Sequence, residues 1–373
     1  MAKRILLALT AIAISLLACG ETTPEPASPT PVPSAPVSGR TAYGFFPSPP
    51  EVSLESVLEH YRSLGEHADF VLFQHAIPWE DFLEGVDGDT TSRKDIRNQM
   101  ALARQNGLEA IFVVDPLNGM DRREFMGLPE GWQPGFGNPD VRAAFTNYTI
   151  WIVREFHPRY LGLASEINTY LDAHPEDVED FMSLYQAVYP LVKAEAPYTL
   201  VFVSFQWEDL NNLWEPAAEG RQAYQTNWDQ MEAFEPNLDL WVISSYPFAA
   251  FASGGDIPPD YYTPLLARTS KPLAVAEGGF TSRPNPPFPG GPEDQVAYLN
   301  AIHDQLGGER LVFWTYLLLN DFNMDSYASM MRGLGLDEAN IQTLGMFASV
   351  GLREFDGTPK PAMQVWDSFR NRE

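Results

Sequence analysis

The sequence predicts an α/β protein folded as a (β/α)8 barrel in one domain. Three observations carry that expectation. Eight short, nearly all-apolar runs recur along the chain, each bounded by turn residues, as parallel strands buried on both faces require. Amphipathic stretches at helical spacing separate most of them. The first run leads into Phe46-Pro47-Ser48-Pro49-Pro50 rather than a Gly-x-Gly-x-x-Gly turn, which speaks against an open, doubly wound sheet that binds nucleotides.

The strands are expected at Ala42–Phe46, Phe70–Gln74, Ala110–Asp115, Leu161–Glu166, Leu200–Gln206, Leu240–Tyr246, Leu273–Glu277 and Leu311–Tyr316. Helices are expected over Val52–Leu64, Arg93–Gln105, Val141–Phe156, Val178–Glu195 and Glu293–Leu306. The fourth of these follows Pro175-Glu176-Asp177, a proline and two acids where the helix dipole favours them, and the last stops at Gly307-Gly308. The weakest unit follows the fifth strand, where Pro216 and Gly220 break the stretch from Asn211 to Phe234. A chain of this length could hold two domains, but α/β barrels commonly run past about 250 residues as one.

The barrel is expected to span residues 41–373. Before it, Lys3 and Arg4 precede an apolar run, Ile5 to Leu17, too short to cross a bilayer comfortably. The run ends Leu16-Leu17-Ala18-Cys19-Gly20, which resembles the lipobox of bacterial lipoproteins. That resemblance implies a signal peptide over residues 1–18 and a lipidated Cys19 that anchors the protein, extracytoplasmically, to the cell envelope. Cys19 is the only cysteine, so the mature domain is left without thiol chemistry. Residues 19–40 are rich in proline, serine and threonine and read as an extended tether.

The net charge is −26. Without Lys3 and Arg4, 22 basic residues face 50 acidic ones, a net −28. So acidic a chain is repelled by phosphate backbones, which argues against a nucleic-acid partner. Aromatic residues make up 13% of the chain, enough to supply ring faces for sugars as well as a barrel core. The six histidines show no close metal-ligand spacing, and Asp321-Phe322-Asn323-Met324-Asp325 lacks the glycine and the terminal glutamate of a calcium loop. No Gly-x-Ser-x-Gly elbow is present. Neither metal nor cofactor is expected, and the protein is expected to be a monomer.

Barrel enzymes place their chemistry where strands end. The polar residues there are His75, Asp115, Glu166, Gln206, Tyr246 and Glu277, with Trp314 near the end of the eighth strand. Glu166, in LGLASEIN (161–168), closes the fourth strand, and Glu277, in PLAVAEGGF (272–280), closes the seventh. These two strands face each other across an eight-stranded barrel, so both carboxyl groups point at one cleft. Glycoside cleavage needs such a pair, one acid to protonate the departing oxygen and one carboxylate to meet the anomeric carbon. Trp79, Trp132, Trp207 and Trp214 fall in loops on the same face and are candidates for stacking on sugar rings. The loop Thr281–Pro292, with five prolines and two glycines, reads as a cleft wall, and the stretch from Leu317 to Val350 as a lid or subsite insertion.

This arrangement resembles glycoside hydrolase clan A, the retaining (β/α)8 enzymes with catalytic glutamates at the ends of strands four and seven. Ala276-Glu277-Gly278-Gly279-Phe280 is similar to a segment of arabinogalactan endo-galactanases, and Gly351-Leu352-Arg353-Glu354-Phe355-Asp356-Gly357-Thr358-Pro359-Lys360-Pro361-Ala362 to a run that leads many clan members into their last helix. The resemblance implies Glu277 as nucleophile, Glu166 as acid/base, Tyr246 as the donor to the nucleophile and Trp314 as the floor of the sugar site. At neutral pH burial and the charge on Glu277 are expected to hold Glu166 protonated, while Glu277 stays ionised. The clan has Asn immediately before the acid/base, where this chain has Ser165; Asn168 is the substitute nearest in sequence. The alternative from another class is a lipoprotein that binds glycans on a barrel that has lost catalysis, with Ser165 as its support. A solute-binding lipoprotein would need two lobes and a hinge, which eight uninterrupted units do not offer.

Overall fold

The computed structural model describes residues 39–372 apart from 84, 87, 215–221, 287, 334–340 and 342–343. The expected signal peptide, Cys19 and nearly all of the tether lie outside the described residues.

The main sheet runs Leu200–Phe202, Tyr160–Gly162, Glu109–Asp115, Phe70–Ala76, Ala42–Phe45, Leu311–Tyr316, Leu273–Gly278, Trp241–Ser245 and Ser204–Gln206. Every pairing in it is parallel. The two ends of this order are consecutive halves of one strand, interrupted only at Val203. Leu163 donates to the Phe202 carbonyl on one side and Ser204 to the Ala164 carbonyl on the other. The sheet therefore returns on itself with eight strand positions, the fifth supplied by the two halves, and the fold is the TIM barrel. Phe70, Tyr160 and Phe202 gather their rings around Phe313 inside it, at centroid distances of 5.0–5.8 Å. A Cβ at Gly44 would run into the Phe70 ring, and one at Gly162 would crowd Phe202. Glycine at those positions leaves the rings their room.

Helices cover the outside. Ser53, Thr90 and Asn138 cap Leu54–His67, Thr91–Gln105 and Pro139–Phe156 by accepting from backbone amides of the first turn. Val178–Glu195 coincides with its expected range, and Pro292–Leu306 begins one residue before its own. The unit after the fifth strand is two short helices, Trp207–Leu210 and Trp228–Glu232, with residues 215–221 between them outside the described set. The fourth strand is shorter than expected and stops at Gly162; Leu163 and Ala164 still bond the fifth strand, and the chain then turns at Glu166.

One element was not expected. After the third strand a two-stranded antiparallel hairpin, Leu117–Asn118 with Asp121–Phe125, folds over the carboxyl end of the barrel. Its two-residue turn is Gly119-Met120, tied by the Asn118 side chain, which accepts from the Met120 amide at 2.9 Å.

Candidate active site

Glu166 and Glu277 reach the same buried cluster by different local devices. The fourth strand releases Glu166 into the left-handed region, at φ 50° and ψ 41°, just before helix Ile167–Ala173. A non-glycine residue there costs on the order of 1–3 kcal/mol, so surrounding bonds must hold it. The Ser204 hydroxyl accepts from the Glu166 amide at 3.0 Å, and the Ser244 hydroxyl donates to Oε1 at 2.5 Å. Glu277 is aimed by a bulge: the seventh strand slips register against the sixth between Val275 and Glu277, so that Glu277 pairs with Ser244. The Tyr246 hydroxyl donates to its Oε1 at 2.5 Å, while Oε2 has no hydrogen-bond partner.

Between the two glutamates lies Arg122, brought in by the hairpin. Its side chain is only 7% exposed. Nε donates to Glu166 Oε2 at 2.8 Å, Nη1 donates to Asp115 Oδ2 at 2.6 Å, and Nη2 stands 3.6 Å from Glu277 Oε2 and 3.4 Å from the Ser165 hydroxyl. Asp115 is fixed in turn by the Gln74 amide at 3.0 Å and the Leu117 backbone amide at 3.2 Å. One guanidinium thus touches three carboxyl groups. Burial pushes the Glu277 carboxyl up to about 7, and the nearby Glu166 charge adds to this; Arg122 and the Tyr246 hydroxyl oppose it. Burial also raises Asp115, against the pull of Arg122. The expectation that Glu277 stays fully ionised at neutral pH is not met: burial holds it partly protonated there, with the Tyr246 hydroxyl as its donor, while Arg122 and Ser244 both donate to Glu166.

The other expected site residues divide. Tyr246, Asp115 and Ser165 belong to the cluster. His75 does not: its ring turns outward, with Nε2 3.2 Å from Gln99 on a covering helix, and burial lowers it to about 4, which keeps it neutral. The residue of that strand that faces the cluster is its neighbour Gln74. Asn168 is fully buried and committed to the fold, since its amide accepts from the Gln206 amide at 2.8 Å and donates to Asp209 at 2.9 Å. It offers the cleft nothing. Gln206 caps the next short helix and donates to Glu208 at 2.7 Å.

The aromatic expectations are corrected more sharply. Trp314 is fully buried on the outer side of the eighth strand, its ring 5.3 Å from Trp366 and 6.4 Å from Phe369 of the last helix, so it is core and floors no cleft. Trp207 is likewise enclosed, against Trp228, Tyr261 and Tyr262, and Trp79 is buried with Nε1 donating to the Met126 carbonyl. Trp132 is half-buried beside Trp79, whereas Trp214 is exposed. The loop after the seventh strand is pinned: the Ser282 amide donates to the Ser349 carbonyl at 2.7 Å, and Asn285 and Phe288 bond each other. The stretch after the eighth strand contains helix Met324–Gly333, and residues 334–340 and 342–343 of it lie outside the described set.

Sequence reasoning missed Arg122, Ser204, Ser244 and Glu208. The Asn118-Gly119 dipeptide is a turn signal in the sequence and could have pointed to the hairpin that carries Arg122, although the turn itself is Gly119-Met120. Glu208 is fully buried behind the cluster. It accepts from the Ser245 hydroxyl at 2.6 Å, the Tyr246 amide at 2.9 Å and the Tyr261 hydroxyl at 3.2 Å, so it fixes the end of the strand that carries Tyr246.

No protein-family model matches the chain, and no curated protein is similar to it in sequence. Solved structures are similar in fold. A variant of a GH5_18 protein from Bifidobacterium longum subsp. longum, in complex with Manβ1-4GlcNAc, superposes with a TM-score of 0.64 at 15% identity, over 89% of this chain and 78% of that one. An exo-β-1,4-mannosidase from an Opitutaceae bacterium gives 0.64 at 13% identity, over 89% of this chain and 59% of its own longer chain. A family 39 glycoside hydrolase from Bacteroides cellulosilyticus gives 0.55 at 18% identity, over 88% and 63%. What this chain has in common with these glycoside hydrolases is the (β/α)8 barrel fold.

Proposed function

We propose that the protein is a retaining glycoside hydrolase acting on β-linked oligo- or polysaccharides by double displacement, with Glu277 as nucleophile and Glu166 as acid/base. The observation that carries the reading is the meeting of two glutamates, from the ends of the fourth and seventh strands, on one buried guanidinium, with the Tyr246 hydroxyl on Glu277. Glu277 Oε2, buried and free of hydrogen bonds, is the oxygen that would meet an anomeric carbon. Glu166 is the acid that would reach the departing oxygen from the opposite side.

The barrel neighbours favour β-mannosides as the first sugars to test, since one is named as an exo-β-1,4-mannosidase and another holds Manβ1-4GlcNAc. The galactanase-like segment at Glu277 adds β-galactosides and arabinogalactan. The protein acts as a monomer outside the cytoplasm, held on the envelope by a lipidated Cys19, with carbohydrate as its partner; the lipobox-like LLACG string supports this placement. The test is hydrolysis of a panel of nitrophenyl β-glycosides and β-linked polysaccharides by the full chain beside Glu277→Gln. Turnover by the wild type and none by the variant is the expected result. If the wild type binds glycans from the panel and cleaves none, the reading is overturned in favour of a binding lipoprotein, the alternative that Ser165 supports.

A further inference from the structure

In the double displacement the negative charge of the glutamate pair does not stay on one residue. In the first step an electron pair on Glu277 forms the bond to the anomeric carbon as the glycosidic C–O bond breaks. The electrons of that bond leave with the aglycone oxygen, which takes the proton of Glu166. Glu277 is then an uncharged ester and Glu166 a carboxylate. In the second step Glu166 takes a proton from water, the water oxygen bonds the anomeric carbon, and Glu277 departs with its electron pair as a carboxylate. One unit of negative charge crosses from Glu277 to Glu166 and back in each turnover.

Resting on that mechanism, we propose that Arg122 is the fixed counter-ion of this migrating charge, a single guanidinium that remains paired with whichever glutamate is ionised. The geometry suits the task. Nε lies 2.8 Å from Glu166 and Nη2 lies 3.6 Å from Glu277, and both belong to one rigid plane. The remaining nitrogen, Nη1, is clamped to Asp115 at 2.6 Å, so the cation has an anchor that takes no part in the chemistry. Burial makes such a pairing worth more than it would be in water. The groups facing Arg122 are Asp115 from the third strand, Ser165 and Glu166 from the fourth and Glu277 from the seventh. Tyr246 from the sixth acts through Glu277, and Gln74 from the second acts through Asp115. Among the described residues no other cation pairs with these three carboxyl groups. Arg122 gives up no proton and forms no covalent bond in either step; it acts through the two glutamates it pairs with and is a positioning residue.

The test compares Arg122→Lys and Arg122→Gln with the wild type and Glu277→Gln, reading kcat/KM against pH and thermal unfolding in parallel. Arg122 favours the ionised form of Glu277, so its loss moves the acidic limb of the profile to higher pH, by about one unit or more. Arg122→Gln should lower kcat/KM at the optimum about 100-fold, and Arg122→Lys should fall between it and the wild type. The loss should be larger for a poor leaving group than for a nitrophenyl glycoside, because only the former calls for full proton transfer from Glu166. If burying three carboxyl groups without a cation prevents Arg122→Gln from folding, Arg122→Lys reads the same limb. Variants that lose thermal stability while keeping the wild-type limb would overturn the proposal and leave the glycosidase reading standing. A wild type as inactive as Glu277→Gln across the panel would overturn both.

Discussion

The Tyr246 hydroxyl stands 2.5 Å from Glu277 Oε1 and is the only hydrogen bond that this carboxyl group receives among the described residues. The end of the sixth strand aims two side chains two residues apart at the buried pair, Ser244 at Glu166 and Tyr246 at Glu277, so one strand orients both members of the pair. Tyr246→Phe removes the donor without changing the shape of the ring. The Tyr246 bond holds Glu277 down against burial, so its loss should raise the carboxyl further and displace the acidic limb of kcat/KM to higher pH. A hydrogen bond to a charged group is worth about 1.5–3 kcal/mol, which sets a loss in kcat of roughly 10- to 150-fold with KM little changed. A pH profile and kcat indistinguishable from wild type would refute this role.

Glu277 also makes a prediction about stability. Its carboxyl is raised to about 7 by burial first and by the Glu166 charge second. A group raised in the folded state stabilises fully below its unfolded value, near 4.3, and loses that contribution as pH rises through the folded value. Glu277→Gln carries no such cost of ionisation. The variant should therefore gain thermal stability relative to wild type as pH rises from about 5 to about 8, and the difference should flatten above that. Melting curves at four or five pH values check this; a difference that is flat across the range would contradict it.

The barrel and its two glutamates were legible because they depend on features that repeat: eight apolar runs, helical spacing between them, and acids at strand ends. Which side of a strand faces the cleft was not. His75 and Gln74, or Trp314 and Thr315, are adjacent residues on strands whose two faces are both apolar, so no alternation in the sequence marks the inward set. One position of parity therefore sends His75 to Gln99 on a helix and Trp314 to Trp366. Arg122 escaped for another reason. It lies 44 residues before its partner Glu166 and arrives on a hairpin inserted into a strand-to-helix loop, where no barrel periodicity applies. Only the Asn118-Gly119 dipeptide, at the entry to the Gly119-Met120 turn, gave local notice of it.

Asn168 follows the acid/base by two residues and yet belongs to the scaffold. Its amide bridges helix Ile167–Ala173 to Gln206 at the end of the fifth strand and to Asp209 in the short helix that follows. Asn168→Ala leaves the Gln206 amide, a buried donor, without its acceptor. That should cost about 1–3 kcal/mol of stability by urea unfolding, and KM should stay within roughly twofold of wild type. A large rise in KM with no loss of stability would instead return Asn168 to the sugar site.

The last prediction concerns Lys360 in the Asp-Gly-Thr-Pro-Lys-Pro-Ala tail, which ties the loops after the seventh and eighth strands together. Its ammonium donates to Asp321 at 2.7 Å, to the Ser282 hydroxyl at 2.9 Å and to the Gly351 carbonyl at 2.8 Å, with both charged side chains almost fully buried. Burial pushes Asp321 up to about 7 even with this cation beside it. Among the described residues, Lys360→Met leaves the buried carboxylate only the Gly351 amide at 2.8 Å and the half-exposed Arg283 at 3.8 Å, and breaking a buried pair from one side costs about 3–5 kcal/mol. The carboxyl rises further once the cation is gone, so the penalty should grow as pH increases from about 5.5 to about 8 and shrink where Asp321 is protonated. Replacing both partners, as Lys360→Met with Asp321→Leu, should recover much of the loss, since neither charge then needs a partner in the interior. Urea unfolding of the single and double variants at the two pH values decides it: a single variant equally destabilised at both, or a double variant no better than the single, would show that the pair does not act as a buried charge couple.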